Sequence, residues 1–309
     1  TGTINIGESD ESASFTDGSI QDTAGDIATF EFELQDTDET WIQIGDEDAD
    51  FVDVLYVEAE DEDEPIEISV NTRLLGTDTS LSSSDVYDTD NVETLESGYH
   101  DTAGGNFDNV PANAELFGDD DAGGNNYATY IEDDLSLADS WDEQLTRPLQ
   151  AADYELQIGG TDVDSDESVF DADTGGEATD QLASAVLELQ QPMIGDITVH
   201  TAPEDNADAD TELDDLLSAV TAREEIAIDD RLIVQVEATG IYGALVAGPD
   251  GTGYDVNFDR LEDGVSTDVM QNIIENTDES VDLEVSAEES TGNQDALEVD
   301  LGAGDSDSY

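Results

Sequence analysis

The chain has 309 residues and carries 83 Asp plus Glu against five Arg, two His and no Lys, a formal net charge of −78. Five scattered Arg cannot displace counterions from phosphate or hold an anionic lipid surface against so many carboxylates, which excludes nucleic acid and membrane surfaces as partners. With 37% hydrophobic residues the chain can fold, though with little apolar surplus, and its length suggests about two domains.

Self-repulsion at this charge expands a compact state in dilute buffer, whereas molar salt shortens the screening length to about 3 Å. The carboxylates are spread along the chain rather than gathered in one tail, a pattern that fits work in brine and removes special meaning from individual acidic runs. Cysteine is absent, so neither a disulfide framework nor a thiolate metal site is available. No apolar run approaches the roughly eighteen residues of a membrane span, so membrane insertion is not expected. The start at Thr1 rather than Met suggests either a removed signal peptide, which would imply export, or a fragment. No Asn-x-Ser/Thr sequon occurs, and any sugars are expected on hydroxyls such as the Ser80 to Ser84 cluster.

Period-two alternation dominates the apolar segments. Phe30, Phe32 and Leu34 fall on one face of a run with Glu31 and Glu33 on the other, the mark of a half-buried strand. The same alternation recurs at Ile42 and Ile44, at Val52, Val54 and Tyr56, and at Ile66, Ile68 and Val70. Closely spaced strands of this kind predict an antiparallel sandwich rather than βαβ units. Residues 76–135 lose periodicity and read as a long acidic insertion, functional or on the surface, unless it hides short strands. Alternation returns at Tyr154, Leu156 and Ile158 and at Ala185, Leu187 and Leu189, and Gln191-Pro192 ends that strand. A domain boundary is therefore placed there, giving an N-terminal sandwich over 1–192 and a C-terminal one over 193–309. The second opens with Ile197 and Val199 and then shows an amphipathic helix over about 211–223, with Leu213, Leu216, Leu217 and Val220 at helical spacing. Strands follow at Leu232, Val234 and Val236, at Val281, Leu283 and Val285, and at Leu297, Val299 and Leu301, with a second short helix at Val269, Ile273 and Ile274.

Catalytic motifs are thin. A nucleophile needs an adjacent base, and the two histidines lack a recognisable setting: His100 reads as a solvated loop side chain and His200 as a strand-surface one. Asp173-Thr174-Gly175 matches half of an aspartic-protease dyad, but no second copy converges on it. With 83 acids, a carboxylate pair at glycosidase spacing carries no information. Trp41 opens an alternating strand and is expected in a core or interface. Divalent cations, Ca2+ above all, are the ligand class the composition favours, since they take six to eight oxygen ligands. The best candidate set is Asp162, Asp164, Asp166, Asp171 and Asp173, which starts like an EF-hand loop but has Glu167 where a tight turn wants Gly.

The run from Gly25 to Leu34, followed by Asp36-Thr37-Asp38 and Ile42-Gln43-Ile44-Gly45, resembles the surface-domain repeat of haloarchaeal cell-surface proteins, including S-layer glycoproteins. Leu149 to Leu156 resembles the returning strand of that domain, and Ile197 to Pro203 with the helix and the Leu232 strand resembles the unit that follows. The resemblance implies two tandem immunoglobulin-like β-sandwich domains, the second with a short helix insertion, in a secreted, self-associating surface protein without catalytic residues. Two departures are the missing sequons and the lack of a Thr-rich stalk or apolar anchor after Leu301; the second shifts some weight from a tethered lattice to a filament, the alternative being a trimmed chain.

The expected function is that of an extracellular structural subunit of a halophilic archaeon, an S-layer-like or pilus-like polymer whose partner is itself, with neighbouring surface proteins as further contacts. Strand addition is the expected joint, because main-chain hydrogen bonds, apolar contacts and cation bridges survive high salt. Candidate donors are Thr3, Ile4, Asn5 and Ile6, or Leu297, Val299 and Leu301. The alternative is a monomeric adhesin or ligand-binding module that uses the 76–135 insertion.

Overall fold

The computed structural model describes residues 11–107, 115–117, 125–161, 168–203, 213–223, 230–250, 253–254, 256–260, 265, 269–270, 273, 285–286 and 298–299. Strands dominate and helices are few and short, so the molecule is β-rich, as the alternation predicts. The chain divides into two compact units, Thr1–Pro192 and Met193–Tyr309.

The first unit contains β1 (Ser12–Phe15), β2 (Ser19–Thr23), β3 (Ile27–Gln35), β4 (Glu39–Asp46), β5 (Phe51–Ala59) and β6 (Ile66–Asn71). Helix α1 (Ser83–Val86), β7 (Tyr87–Asp90), β8 (Val92–Ser97), β9 (Glu115–Phe117) and α2 (Tyr127–Thr129) follow, then β10 (Asp153–Gly159), β11 (Ser168–Asp171), β12 (Glu177–Ala178) and β13 (Gln181–Gln190). A four-stranded sheet has the order β1-β3-β6-β7, and a six-stranded sheet the order β2-β13-β10-β4-β5-β8. All neighbours in these sheets are antiparallel except β2, which runs parallel to β13. The chain thus changes sheets between β1 and β2.

The alternation of β3 works as expected: Ala28, Phe30, Phe32 and Leu34 are buried while Thr29 and Glu33 are exposed. Phe15 of β1 sets its ring edge-on to Phe30 and Phe32, with centroids 6.2 and 6.0 Å away. Each such ring or branched chain removed from water contributes about 1.5–3 kcal/mol. Strands β4 and β5 depart from the half-buried expectation. Their register sets Trp41 opposite Tyr56 and Ile42 opposite Leu55, so the Val52, Val54 and Tyr56 face is Trp41's, and Ile42 and Ile44 lie on the other side of the sheet. Both faces are buried, with Phe51, Val52, Val54, Leu55 and Val57 all at 0% exposure. The physical reason is a second layer that sequence alternation alone does not announce.

That layer is built mainly from the 76–135 stretch. Tyr87–Asp90 and Val92–Ser97 of that stretch are sheet strands, one in each sheet. The following residues cover the Trp41 face with Tyr99, Phe107, Leu116, Phe117, Tyr127 and Tyr130, joined by Val169 and Phe170. Phe117 stacks on Tyr130 with centroids 4.0 Å apart, and Phe107 meets Trp41 edge-on at 5.1 Å. Among its described residues the stretch is therefore a packed covering and not a loose surface loop.

The second unit contains β14 (Ile194–Pro203), α3 (Leu213–Ala219), β15 (Thr221–Ala222), β16 (Asp230–Ala238), α4 (Tyr242–Ala247), β17 (Pro249–Asp250), β18 (Gly253–Tyr254), β19 (Val285–Ser286) and β20 (Glu298–Val299). Its main sheet has the order β15-β14-β16. The helix expected over 211–223 ends at Ala219, because Thr221 and Ala222 pair with Thr201 and His200 instead. Thr211 and Glu212 lie outside the described residues. Helix α4 was not anticipated; it packs Ala244 and Leu245 against Val269 and Ile273, the second of the expected helical segments, while Ile274 lies outside the described residues. Arg260 donates to the carbonyls of Leu245 and Val246 at 3.1 and 2.8 Å, placing a cation at the negative end of α4.

Candidate functional site

The most concentrated chemistry in the first unit is a polar centre around Asp53. Asp53 sits on the Ile44 face of β5 and is completely buried. Its carboxylate accepts from the backbone N–H groups of Val54 and Tyr99, both at 2.9 Å, from the Tyr87 hydroxyl at 2.8 Å and from the Ser97 hydroxyl at 2.7 Å. Tyr87 belongs to the four-stranded sheet and Ser97 to the six-stranded one, so a single side chain ties both sheets and the start of the covering layer together. Burial pushes the Asp53 carboxyl above the usual range, against the pull of His100 and of the Tyr99 N–H and the Ser97 and Tyr87 hydroxyls.

His100 is buried, not solvated as the loop context predicts. Its Nε2 accepts from the Gly76 N–H at 3.3 Å, which leaves the ring proton on Nδ1. Burial lowers its pKa, opposed by Asp53, by Asp101 and by the carbonyls of Leu81 and Asp78. Ser, His and Asp thus meet, but not as a nucleophilic triad. The Ser97 hydroxyl donates to Asp53 and accepts from the His100 backbone N–H at 3.0 Å, no His100 ring nitrogen bonds it, and all three residues are buried. The signal for this centre was available in the sequence as Gly98-Tyr99-His100 beside an Asp in an apolar strand, yet acidity everywhere else hid it.

A second set of buried polar side chains pins the covering layer. Tyr130 donates its hydroxyl to Gln43 Oε1 at 2.7 Å, and Gln43 Nε2 donates to the Gly176 carbonyl at 3.0 Å. Tyr127 donates to the Val52 carbonyl at 2.5 Å while Gln144 Oε1 accepts from the Val52 N–H at 2.9 Å. These bonds satisfy polar groups that burial would otherwise leave costly. Trp41, at 1% exposure, is a core residue.

Of the cation candidates, Asp162, Asp164 and Asp166 lie outside the described residues. Asp171 and Asp173 occupy one tight turn, in which the Asp171 carboxylate accepts from the Asp173 N–H at 2.9 Å and so caps its own backbone. Among the described residues no group of three or more His, Asp or Glu is arranged to hold a metal ion. Asp173-Thr174-Gly175 ends that turn with Gly175 in the left-handed region at φ 85°, an exposed hairpin-like corner rather than a catalytic strand. Of the strand donors, Thr3, Ile4, Asn5, Ile6, Leu297 and Leu301 lie outside the described residues, whereas Val299 pairs with Val285 across β20 and β19.

One feature of the second unit escaped sequence reading. β14 pairs with β16 through Ile197 opposite Val236 and Val199 opposite Val234, and a bulge at Gly195-Asp196 keeps Ile194, opposite Ala238, on that same face. The resulting apolar stripe is open to solvent, with Ile194 67%, Ile197 59% and Val236 39% exposed. Alternation marks such residues as core, and it contains no information on what covers them.

Together these features describe a β-rich protein whose concentrated polar chemistry, among the described residues, is buried and joins layers. Residues 6–130 match a family described as a domain of unknown function (DUF7827). The chain is also 24% identical over 285 residues to Cell surface glycoprotein 1 of Haloarcula hispanica, covering 89% of this chain and 24% of that protein. It is 25% identical over 293 residues to Cell surface glycoprotein 2 of the same organism, covering 89% of this chain and 26% of that protein. The chain thus spans about a quarter of the length of the curated relatives it matches. No solved structure matches it. The likeness supports a cell-surface protein of a halophilic archaeon, in agreement with the charge and with the resemblance seen in the sequence.

Proposed function

We propose that the chain is an extracellular structural segment of a haloarchaeal cell surface, built of two tandem immunoglobulin-like sandwiches, that associates with further copies into a filament or layer and has no catalytic role. The observation that carries the architectural part is strand order. The four-stranded sheet β1-β3-β6-β7 corresponds to an A-B-E-D arrangement, and β13-β10-β4-β5-β8 to the G-F-C-C′-C″ sheet of a variable-type domain. The parallel pairing of β2 with β13 closes that sheet at its first strand. The connectivity departs from that domain, since the chain visits the E position before the D position and both of them before the C″ position. Support for a structural role is the use of Asp53, Ser97 and His100 to join layers in the interior, where no substrate reaches them.

Self-association rests on strand addition by Thr3-Ile4-Asn5-Ile6 to a neighbour's sheet edge, with Leu297, Val299 and Leu301 as the second donor, and main-chain bonds of this kind tolerate brine. Deleting residues 1–7 is expected to abolish polymers seen by negative-stain microscopy in molar salt while leaving each copy folded; unchanged polymers would defeat the proposal. Ca2+ or another divalent cation bridging carboxylates between copies is the second contribution, and a chelator added in molar NaCl is expected to shorten the polymers. The adhesin reading has less support, because the described aromatic residues of the 76–135 stretch face the sheet.

A further inference from the structure

The outer strands of the first unit are short, and two of them are acidic. β1 and β7 have four residues each, β2 five and β8 six, with Asp88 and Asp90 on β7 and Glu93 and Glu96 on β8. Such edges are poor templates for a further strand. β16 is the opposite case. Among the described residues it is the outermost strand of its sheet, it has nine residues without Pro or Gly, and the bulge in its pairing lies on β14. Its centre, Leu232-Ile233-Val234-Gln235-Val236, is uncharged and rich in branched side chains that suit a strand. The pairing also tells which main-chain groups face outward. The Val199 carbonyl accepts from the N–H of Arg223, just after β15, at 3.3 Å, so Val199 turns its main chain toward β15 and its partner Val234 turns its own away from β14. The bond from the Thr239 N–H to the Met193 carbonyl, at 2.9 Å, has the matching parity. Leu232, Val234 and Val236 thus present N–H and C=O groups along the outer edge, at the alternate spacing that an added antiparallel strand needs.

We infer that β16 pairs antiparallel with β16 of a second copy, about a two-fold axis through Val234. The partner is a second copy because this strand is complementary to itself. In that register the whole strand is used: Val234 lies opposite its own equivalent, Leu232 opposite Val236, and Arg231 opposite Glu237. Centring the contact on Ile233 or Gln235 shortens the overlap and sets Arg231 opposite Gln235 or Thr239. Full overlap and charge complementarity therefore select the same register, in a chain with only five Arg. Arg231 and Glu237 then occupy non-hydrogen-bonded positions, where facing side chains stand closest. In brine the ion pair chooses the register, while the main-chain bonds and the Leu232, Val234 and Val236 contacts provide the hold. The contact rests on the reading that copies associate, but it uses a different strand from the N-terminal joint. It closes on itself as a dimer, whereas strand donation from one end propagates.

The test uses the full chain, which contains no Cys. Val234→Cys and Gln235→Cys are made separately and oxidised in molar NaCl, and linked dimers are read on a non-reducing gel. Across the two-fold axis the thiols at position 234 face each other at about 5.5 Å between Cα atoms, within disulfide reach, whereas those at 235 are offset by two residues and lie beyond about 7 Å. Val234→Cys is therefore expected to link and Gln235→Cys, although more exposed, to stay single. No link at 234, as when another segment of the chain holds that edge, or equal linking at both positions, would overturn the inference. In the Val234→Cys background, Arg231→Glu and Glu237→Arg are each expected to reduce the linked fraction at least about threefold, and mixing the two is expected to restore it, since each then faces its opposite charge. A mixture that links no better than its components would overturn it too. Polymers that persist when position 234 does not link would sink this contact alone. Dimers that persist when deletion of residues 1–7 leaves polymers unchanged would sink only the N-terminal joint.

Discussion

Asp53 is the residue on which the first unit turns, because four donors from three segments converge on one buried carboxylate. Truncation to Ala strands those donors without water, and each unsatisfied buried group costs about 1–3 kcal/mol. Asp53→Ala is therefore expected to lower stability by at least about 3 kcal/mol, read as a shift of the denaturation midpoint in molar salt. His100 adds a pH dependence of determinable sign. Its pKa is lowered in the folded state, so below the ordinary value of about 6.5 the unfolded chain takes up the proton first. Its contribution is present above that value and is lost as pH falls from there toward the lowered folded value. Protonation of Nε2 also ends its bond with the Gly76 N–H. His100→Gln keeps an acceptor and does not titrate, so the melting-temperature difference between parent and variant should shift against the parent from pH 7.5 to 5. A difference that stays constant with pH would show that His100 does not titrate in this way.

At the scale of elements, the turn from β4 to β5 is decided by Gly45, which takes φ 88° and brings its Cα so close to β5 that an added Cβ would lie 2.0 Å from the Phe51 carbonyl oxygen. Gly45→Ala meets both a disfavoured backbone region and a main-chain atom that cannot rotate away, and is expected to cost about 1–3 kcal/mol. Thermal unfolding followed in the near-UV would register it, and a neutral result would mean that the hairpin has slack. The covering layer explains why this hairpin matters. β4 and β5 are buried on both faces, so a shift of either one disturbs Trp41 and Tyr56 above and Ile42 and Leu55 below. In the second unit the comparable decision is made by Thr221 and Ala222, whose pairing with β14 ends α3 at Ala219.

For the molecule as a whole, a net charge of −78 makes salt a structural component. At roughly 0.1 M the screening length is about 10 Å and neighbouring carboxylates repel, whereas at 1 M it is about 3 Å. The melting temperature is expected to rise steeply between those conditions. Both Trp residues, Trp41 and Trp141, lie in the first unit, so their fluorescence reports its unfolding separately from that of the second. A Trp emission transition that stays at one temperature from low to multimolar salt would contradict the halophilic reading of the charge.

What the sequence alone determined is what alternation and composition encode directly. The strands at Phe30, Ile42, Val54, Ile68, Leu156 and Leu187 were legible because each pairs a buried face with a polar or turn boundary, and the charge pointed to brine. Only the tertiary structure decided how many layers cover a strand. Alternation at Val52, Val54 and Tyr56 records one apolar face but not the burial of Phe51, Asp53 and Leu55 on the other, since that depends on distant residues such as Tyr87, which reaches Asp53 from a stretch with no period of its own. The same holds for His100, which looks solvated among acidic and small neighbours and is buried because Gly76 and Asp53 are brought to it. Burial is a property of what packs against a residue, and local pattern carries no record of a partner far along the chain.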